Sequence, residues 1–163
     1  MVETVTETSG NEGLAAAAQL LHDFNAEYDE PAPPPEELAG RLAELIRDHH
    51  LTVLIARAPG TGEPVGVAVI RIQPSLWSLA QEAYVAELYV VPSQRGRGHG
   101  RALITEALRV ARAEGADYVF VITSEDDRQA QRLYAAAGFR RTEGEGGPLM
   151  LAYERELEPD LRA

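Results

Sequence analysis

The sequence predicts a mixed α/β fold whose sheet is mainly antiparallel but includes one parallel strand pair. Three observations predict it. Two helical patterns precede the first strong strand, the stretch after Leu51 reads as a hairpin, and Tyr84–Thr123 reads as strand–helix–strand. A strand–helix–strand unit makes its strands parallel through a right-handed crossover, whereas a hairpin makes them antiparallel.

In chain order, VETVTET alternates weakly, as a short edge strand or a frayed end does. Ser9 and Glu12 match a capping box, so an Ala/Leu-rich helix is expected to about Glu27. Asp29–Pro35 is a proline-rich loop. Pro35 then opens a second helix with Glu36 and Glu37 at its positive end, and that helix stops near His49 and His50. Leu51–Arg57 and Val65–Gln73 read as strands around the turn Pro59-Gly60-Thr61-Gly62. Pro74–Ala80 is a loop that carries the only tryptophan, Trp77.

Tyr84–Val91 is a strong strand ended by Pro92, and Arg101–Glu114 has helical apolar spacing ended by Gly115. Tyr118–Thr123 is a further strand, and Ser124 is placed to cap a helix reaching Ala137. Phe139–Thr142 and Leu149–Glu156 read as a last strand pair around a Gly-rich turn. No repeat or composition break divides the chain. One domain over residues 1–163 is therefore expected, with a core of about 10–157 and flexible ends.

Composition narrows the function. With 45% hydrophobic and 25% charged residues, the chain is not a disordered one. It has no cysteine, hence neither a disulfide framework nor a thiolate metal site, which fits a cytoplasmic location. No apolar run approaches the ~18 residues of a membrane span, and the acidic start is not expected to be a targeting segment. A net charge of −11 argues against a general nucleic-acid partner. That charge is uneven: residues 1–50 carry a net of −9, residues 51–140 a net of +1, and residues 141–163 a net of −3. Such asymmetry suits a cationic partner on the N-terminal side.

The joint between the strong strand and its helix reads VVPSQRGRGHGRAL, in which Arg95, Gly98 and Gly100 have the spacing [QR]-x-x-G-x-[GA]. Glycines there let a backbone approach a ligand closely, and successive N–H groups at a helix start make an anion site. Arg95, Arg97 and Arg101 add positive charge, so the anion is a phosphate or pyrophosphate. No G-x-x-x-x-G-K-[ST] is present, and Arg101 stands where a dinucleotide fingerprint needs Gly or Ala. The four histidines show no metal spacing, and no metal is expected.

ELYVVPSQRGRGHGRALI followed by SEDDRQAQRLYAAAGFRRT resembles the GNAT N-acetyltransferase family, the acetyl-CoA-dependent enzymes of the acyl-CoA N-acyltransferase fold. The resemblance implies that the two parallel strands are central and splay apart, opening a cleft where thioester and amine meet. It implies a bulged strand whose backbone at Leu88, Tyr89 and Val90 holds the pantetheine arm of acetyl-CoA. The loop Arg95, Gly96, Arg97, Gly98, His99, Gly100 and Arg101 would hold the pyrophosphate. The family's Asn-x-x-Ala-x-x-Leu-Tyr is here Asp127-x-x-Ala130-x-x-Leu133-Tyr134, so a carboxylate replaces an amide at the cofactor contact. Tyr134 matches the tyrosine that protonates the departing sulfur.

The implied reaction is transfer of acetyl to a primary amine of a small, cationic molecule in a ternary complex, without an acyl-cysteine carrier. Deprotonating an amine of pKa near ~10.4 costs about 4–5 kcal/mol at neutral pH. Glu87 could accept that proton, with Glu82 or Glu125 as alternatives. A phenol near ~10 is a weaker acid than a thiol near ~8.5, so Tyr134 helps by donating a hydrogen bond as the C–S bond breaks. The resemblance places the acceptor near the first two helices and the loop between them, a region that includes Glu27, Tyr28, Asp29, Glu30, Glu36 and Glu37. Tyr28, Asp29 and Glu30 are the candidate contacts, and Trp77 is the candidate wall of the amine pocket. A catalytically silent domain that binds acetyl-CoA as a sensor is the alternative, resting on Asp127. The family's dimers use the sheet edge or the helices, and the sequence leaves a homodimer open.

Overall fold

The computed structural model describes residues 1–6 and 10–157. Along the chain run β1 (Val2–Val5), α1 (Gly10–Glu27), α2 (Pro35–Arg47), β2 (Thr52–Arg57), β3 (Pro64–Pro74) and β4 (Gln81–Val90). A short 3₁₀ turn at Pro92–Gln94 leads into α3 (His99–Ala113), followed by β5 (Ala116–Val121) and α4 (Arg128–Ala136). Among the described residues these strands form one sheet in the order β1-β2-β3-β4-β5, antiparallel except for the parallel pair β4–β5. The mixed α/β sheet expected from the sequence is thus present. Ser9, expected to cap α1, and the polar tail beyond 157 lie outside the described residues.

Both sheet faces are covered, which is why β2 and β3 read as unbroken apolar runs. Val53, Ile55, Val67 and Val69 pack under α1 and α2 with Ala17, Ala18, Leu20 and Leu42. Leu54, Ala68, Ile70, Ala83 and Val85 pack on the other face against Leu103, Ile104 and Ala107 of α3. No described helix is long and apolar enough to cross a membrane.

Two irregularities shape β4. Val69 pairs with Glu87 and Ile70 with Val85, so Ala86 is an extra residue, a β-bulge. A bulge reverses the alternation of faces. Ala83 and Val85 face α3, but beyond the bulge Val90 faces α3 and Tyr89 faces α1, which puts Glu87 on the α1 side with Tyr89. The parallel pairing is also partial: it covers Gln81–Val85 against Ala116–Val121 and ends there, while β4 continues to Val90. The two strands part beyond that point.

Two local expectations are corrected. Phe139–Thr142 and Leu149–Glu156 meet only at one antiparallel bridge, Thr142 with Leu149, rather than forming strands. Three glycines and Pro148 interrupt the run, and Leu149, Leu151 and Tyr153 remain exposed. The parallel pair therefore stands at the end of the described sheet. The cap of α4 is also not Ser124. Asp127 fills it, its Oδ1 accepting from the Ala130 N–H at 2.8 Å, while the Ser124 hydroxyl donates to Asp126 at 2.5 Å.

Two stability measurements follow from these contacts. A Cβ at Gly66 would lie 2.9 Å from the Tyr89 carbonyl and 3.1 Å from Leu103. Gly66→Ala should destabilise by about 1–3 kcal/mol in urea unfolding, because a backbone atom must shift. Asp127→Ala should cost about 1 kcal/mol through the lost cap, and Asp127→Asn should cost much less.

Candidate active site

Where β4 and β5 part, a cleft of about 740 Å³ opens. One wall is the second half of β4, from Val85 to Val90; the other is Val121–Ser124 with Asp126, Asp127, Ala130, Leu133 and Tyr134. The glycine loop closes one end, and Phe24 from the last turn of α1 and Tyr28 just beyond it line the cleft as well. With no parallel partner beyond Val85, the free side of the β4 backbone faces this space.

The loop is shaped by its backbone. Gly96 and Gly98 have φ of +74° and +88°, in the left-handed region that side chains disfavour, and a Cβ on either would enter open space. Gly98 is the N-cap of α3 and offers no side-chain hydrogen bond, and the first helical bond is Ala102 N–H to the Gly98 carbonyl at 3.0 Å. The N–H groups of His99, Gly100 and Arg101 therefore lack helical acceptors at the positive end of the dipole. Gly100 serves packing instead, since its Cβ would lie 3.3 Å from Leu133 of α4.

Of the residues singled out from the sequence, Glu87, Tyr134, Leu88, Tyr89, Val90, Arg95, Gly96, Gly98, His99, Gly100, Arg101, Asp127 and Tyr28 all line this one cleft. Arg97 lines a smaller recess of about 410 Å³ beside the β2–β3 turn. Asp29 and Glu30 are exposed and lie outside the cleft lining, as does Trp77, which is 89% exposed on the β3–β4 loop. Being the sole tryptophan on a loop was too weak a signal for a pocket wall.

Sequence reasoning missed Phe24 as a site residue. Its signal was helical spacing, because Phe24, Glu27 and Tyr28 stand at i, i+3 and i+4 on one face of α1. It also missed the restraint on Arg95, whose Nη2 donates to Glu27 at 2.6 Å and whose Nε donates to the Val90 carbonyl at 2.9 Å. The hydrogen bond from Arg95 holds the Glu27 carboxyl below its ordinary range. The charge of Arg95 is thus already met, and the exposed Arg101 is the loop arginine left at the cleft mouth.

Two titratable groups of the cleft lining have shifted ionisation, Glu87 and Tyr134. Burial pushes the Glu87 carboxyl upward, and the Arg71 guanidinium on β3 partly opposes it. Tyr134 is 9% exposed, and its phenol is pushed up to about 12 by burial, then by the charges of Asp127 and Glu87. Below that pH Tyr134 is a neutral donor. Among the described residues no group of three or more His, Asp or Glu is placed to hold a metal.

The comparisons with known proteins agree with this geometry. The acetyltransferase (GNAT) family pattern matches residues 17–139. An acetyltransferase crystal structure from Arthrobacter sp. FB24 is 36% identical, covers 96% of each chain and superposes with a TM-score of 0.82. A glucosamine 6-phosphate N-acetyltransferase from Trypanosoma brucei brucei is 30% identical over 80% of each chain. A mycothiol acetyltransferase from Thermobispora bispora is 32% identical over 74% of this chain, which spans only 36% of that relative's length. With its splayed strands, bulged β4 and glycine loop, the chain belongs to the GNAT acetyltransferase family.

Proposed function

We propose that this chain is an N-acetyltransferase that moves acetyl from acetyl-CoA to a primary amine of a small, cationic acceptor, acting as one domain over residues 1–163. The observation that carries the reading is the end of β4–β5 pairing at Val85. It places unpaired β4 backbone, the uncapped start of α3, Glu87 and Tyr134 in one cleft. The residues present fit the cosubstrate: extended backbone at Leu88–Val90 suits an amide-bearing arm, and the N–H groups of α3 with Arg101 suit a pyrophosphate. The two relatives named for mycothiol and glucosamine 6-phosphate support a small acceptor.

When bound, acetyl-CoA supplies an activated thioester. Glu87, raised by burial, is the base that takes the amine proton, directly or through one water. The freed nitrogen forms a bond to the acetyl carbon while the carbon–sulfur bond breaks. The Tyr134 hydroxyl donates a hydrogen bond to the leaving sulfur, which departs as the thiolate and becomes the CoA thiol by taking up the second proton that the nitrogen sheds as the amide forms. A backbone N–H near Val90 meets the charge that grows on the carbonyl oxygen. The carboxylates of Glu87, Asp126 and Asp127 within the cleft favour a cationic acceptor. Asp127 caps α4 through its Oδ1, a bond that an asparagine would accept equally, so the exchange of amide for carboxylate leaves this helix start intact.

Thiol release from acetyl-CoA across a panel of amines tests this directly. Turnover should appear on at least one cationic amine, and Tyr134→Phe should lower kcat about 10²-fold with CoA affinity retained. Tight CoA binding with no turnover on any amine would leave only the sensor. The pH profile carries a second test. Activity should fall with acidification through a midpoint above the ordinary ~4.3 of glutamate, as Glu87 gains its proton, and Glu87→Gln should remove that limb.

A further inference from the structure

The last turn of α1 does more than line the cleft. Phe24 stacks on Tyr89 of β4 with ring centres 5.2 Å apart, and Tyr28 meets Phe24 edge-on at 5.5 Å. Between them in the turn, Glu27 accepts the 2.6 Å hydrogen bond from Arg95. The pair is partly covered, with side-chain exposures of 30% for Arg95 and 28% for Glu27. The Arg95 guanidinium is held on three sides: by Glu27, by the Val90 carbonyl at 2.9 Å, and by the Tyr89 ring with its centre 5.7 Å away.

Position gives this contact its consequence. Arg95 is the residue immediately before Gly96, at which the loop turns into the left-handed region. Beyond it, Gly96 and Gly98 carry no side chain that could pack and fix the turn, and a Cβ built on either would meet only open space. Of the three loop arginines, Arg95 is the one that is partly buried, while Arg97 and Arg101 are exposed. The cradle is thus held at its far end by the buried His99 at the start of α3 and at its near end by the Arg95 side chain, whose outer anchor belongs to α1.

We infer that Glu27 is a positioning residue for the cofactor: through Arg95 it fixes the first turn of the pyrophosphate cradle, so one ion pair ties the acceptor helix to the cofactor loop. This rests on the acetyltransferase reading. Arg95 gives its Nη2 to Glu27 and its Nε to the Val90 carbonyl, so the pair works by holding the loop in shape. A loop released from it must be ordered when a ligand arrives, and that ordering weakens binding.

The test is the calorimetric dissociation constant of CoA alone for wild type, Glu27→Gln, Arg95→Gln and the double variant, in roughly 0.15 M salt to screen distant charges. Arg95→Lys replaces Arg95→Gln in the cycle if the latter does not fold, because an ammonium cannot serve both acceptors in the same planar fork. Glu27→Gln should weaken CoA binding about fivefold, with its melting temperature unchanged, and should have no further effect once Arg95 is replaced. Unchanged or tighter CoA binding by Glu27→Gln, or additive effects in the double variant, would overturn the inference alone. Failure of wild type to bind CoA would overturn the acetyltransferase reading and this inference together.

Discussion

Beyond Val85 and Val121, β4 and β5 no longer share hydrogen bonds, and the rest of the site follows from that separation. A strand buried in a sheet spends its backbone groups on its neighbours, and an unpaired buried group carries a penalty of several kcal/mol in an apolar setting. Here β4 keeps its antiparallel partner β3 along its whole length but loses β5 halfway. Its outer edge is left able to bind a ligand's amides without dismantling the core. The bulge at Ala86 falls at the same place, and it turns Glu87 away from the α3 core towards the α1 side.

Each element then contributes by where it leaves a backbone group or a titratable side chain unspent. The start of α3 has no side-chain cap, whereas α4 has Asp127, so the first helix end is left open for an anion and the second is closed. Tyr134 and Phe139 meet edge-on at 5.8 Å, which seats the phenol ring in the core while its hydroxyl borders the cleft. Positioning two substrates in one cleft supplies most of such a reaction's acceleration, so rigidity of these walls matters more than any single proton transfer.

How much of this was readable beforehand depended on range. The glycine loop and the strand before it declare themselves within short windows, because loop glycines and strand patterns are local signals, whereas Tyr134 was reached through the family resemblance of its motif. The resemblance implied a bulge in this strand, but its position at Ala86 was not readable, since an extra residue in β4 has meaning only against its partner β3. The Glu27–Arg95 pair spans 68 residues, and charge counting assigned its two members to opposite halves of the molecule. Trp77 and the last strand pair show the converse: exposed loops and alternating tails satisfy a local pattern without any partner to complete it. The N-terminal acid changes meaning as well. Asp29 and Glu30 stand outside the cleft lining, and Glu27 is spent on Arg95.

The central claim is that the unpaired half of β4 and the start of α3 form one ligand-binding edge. Amide hydrogen exchange with and without CoA tests it most directly. The account predicts added protection confined to the N–H groups of Leu88–Val90 and Gly96–Arg101, with β2 and β3 unaffected. Protection that spares both segments, or that falls instead along the recess at Arg97, would contradict it.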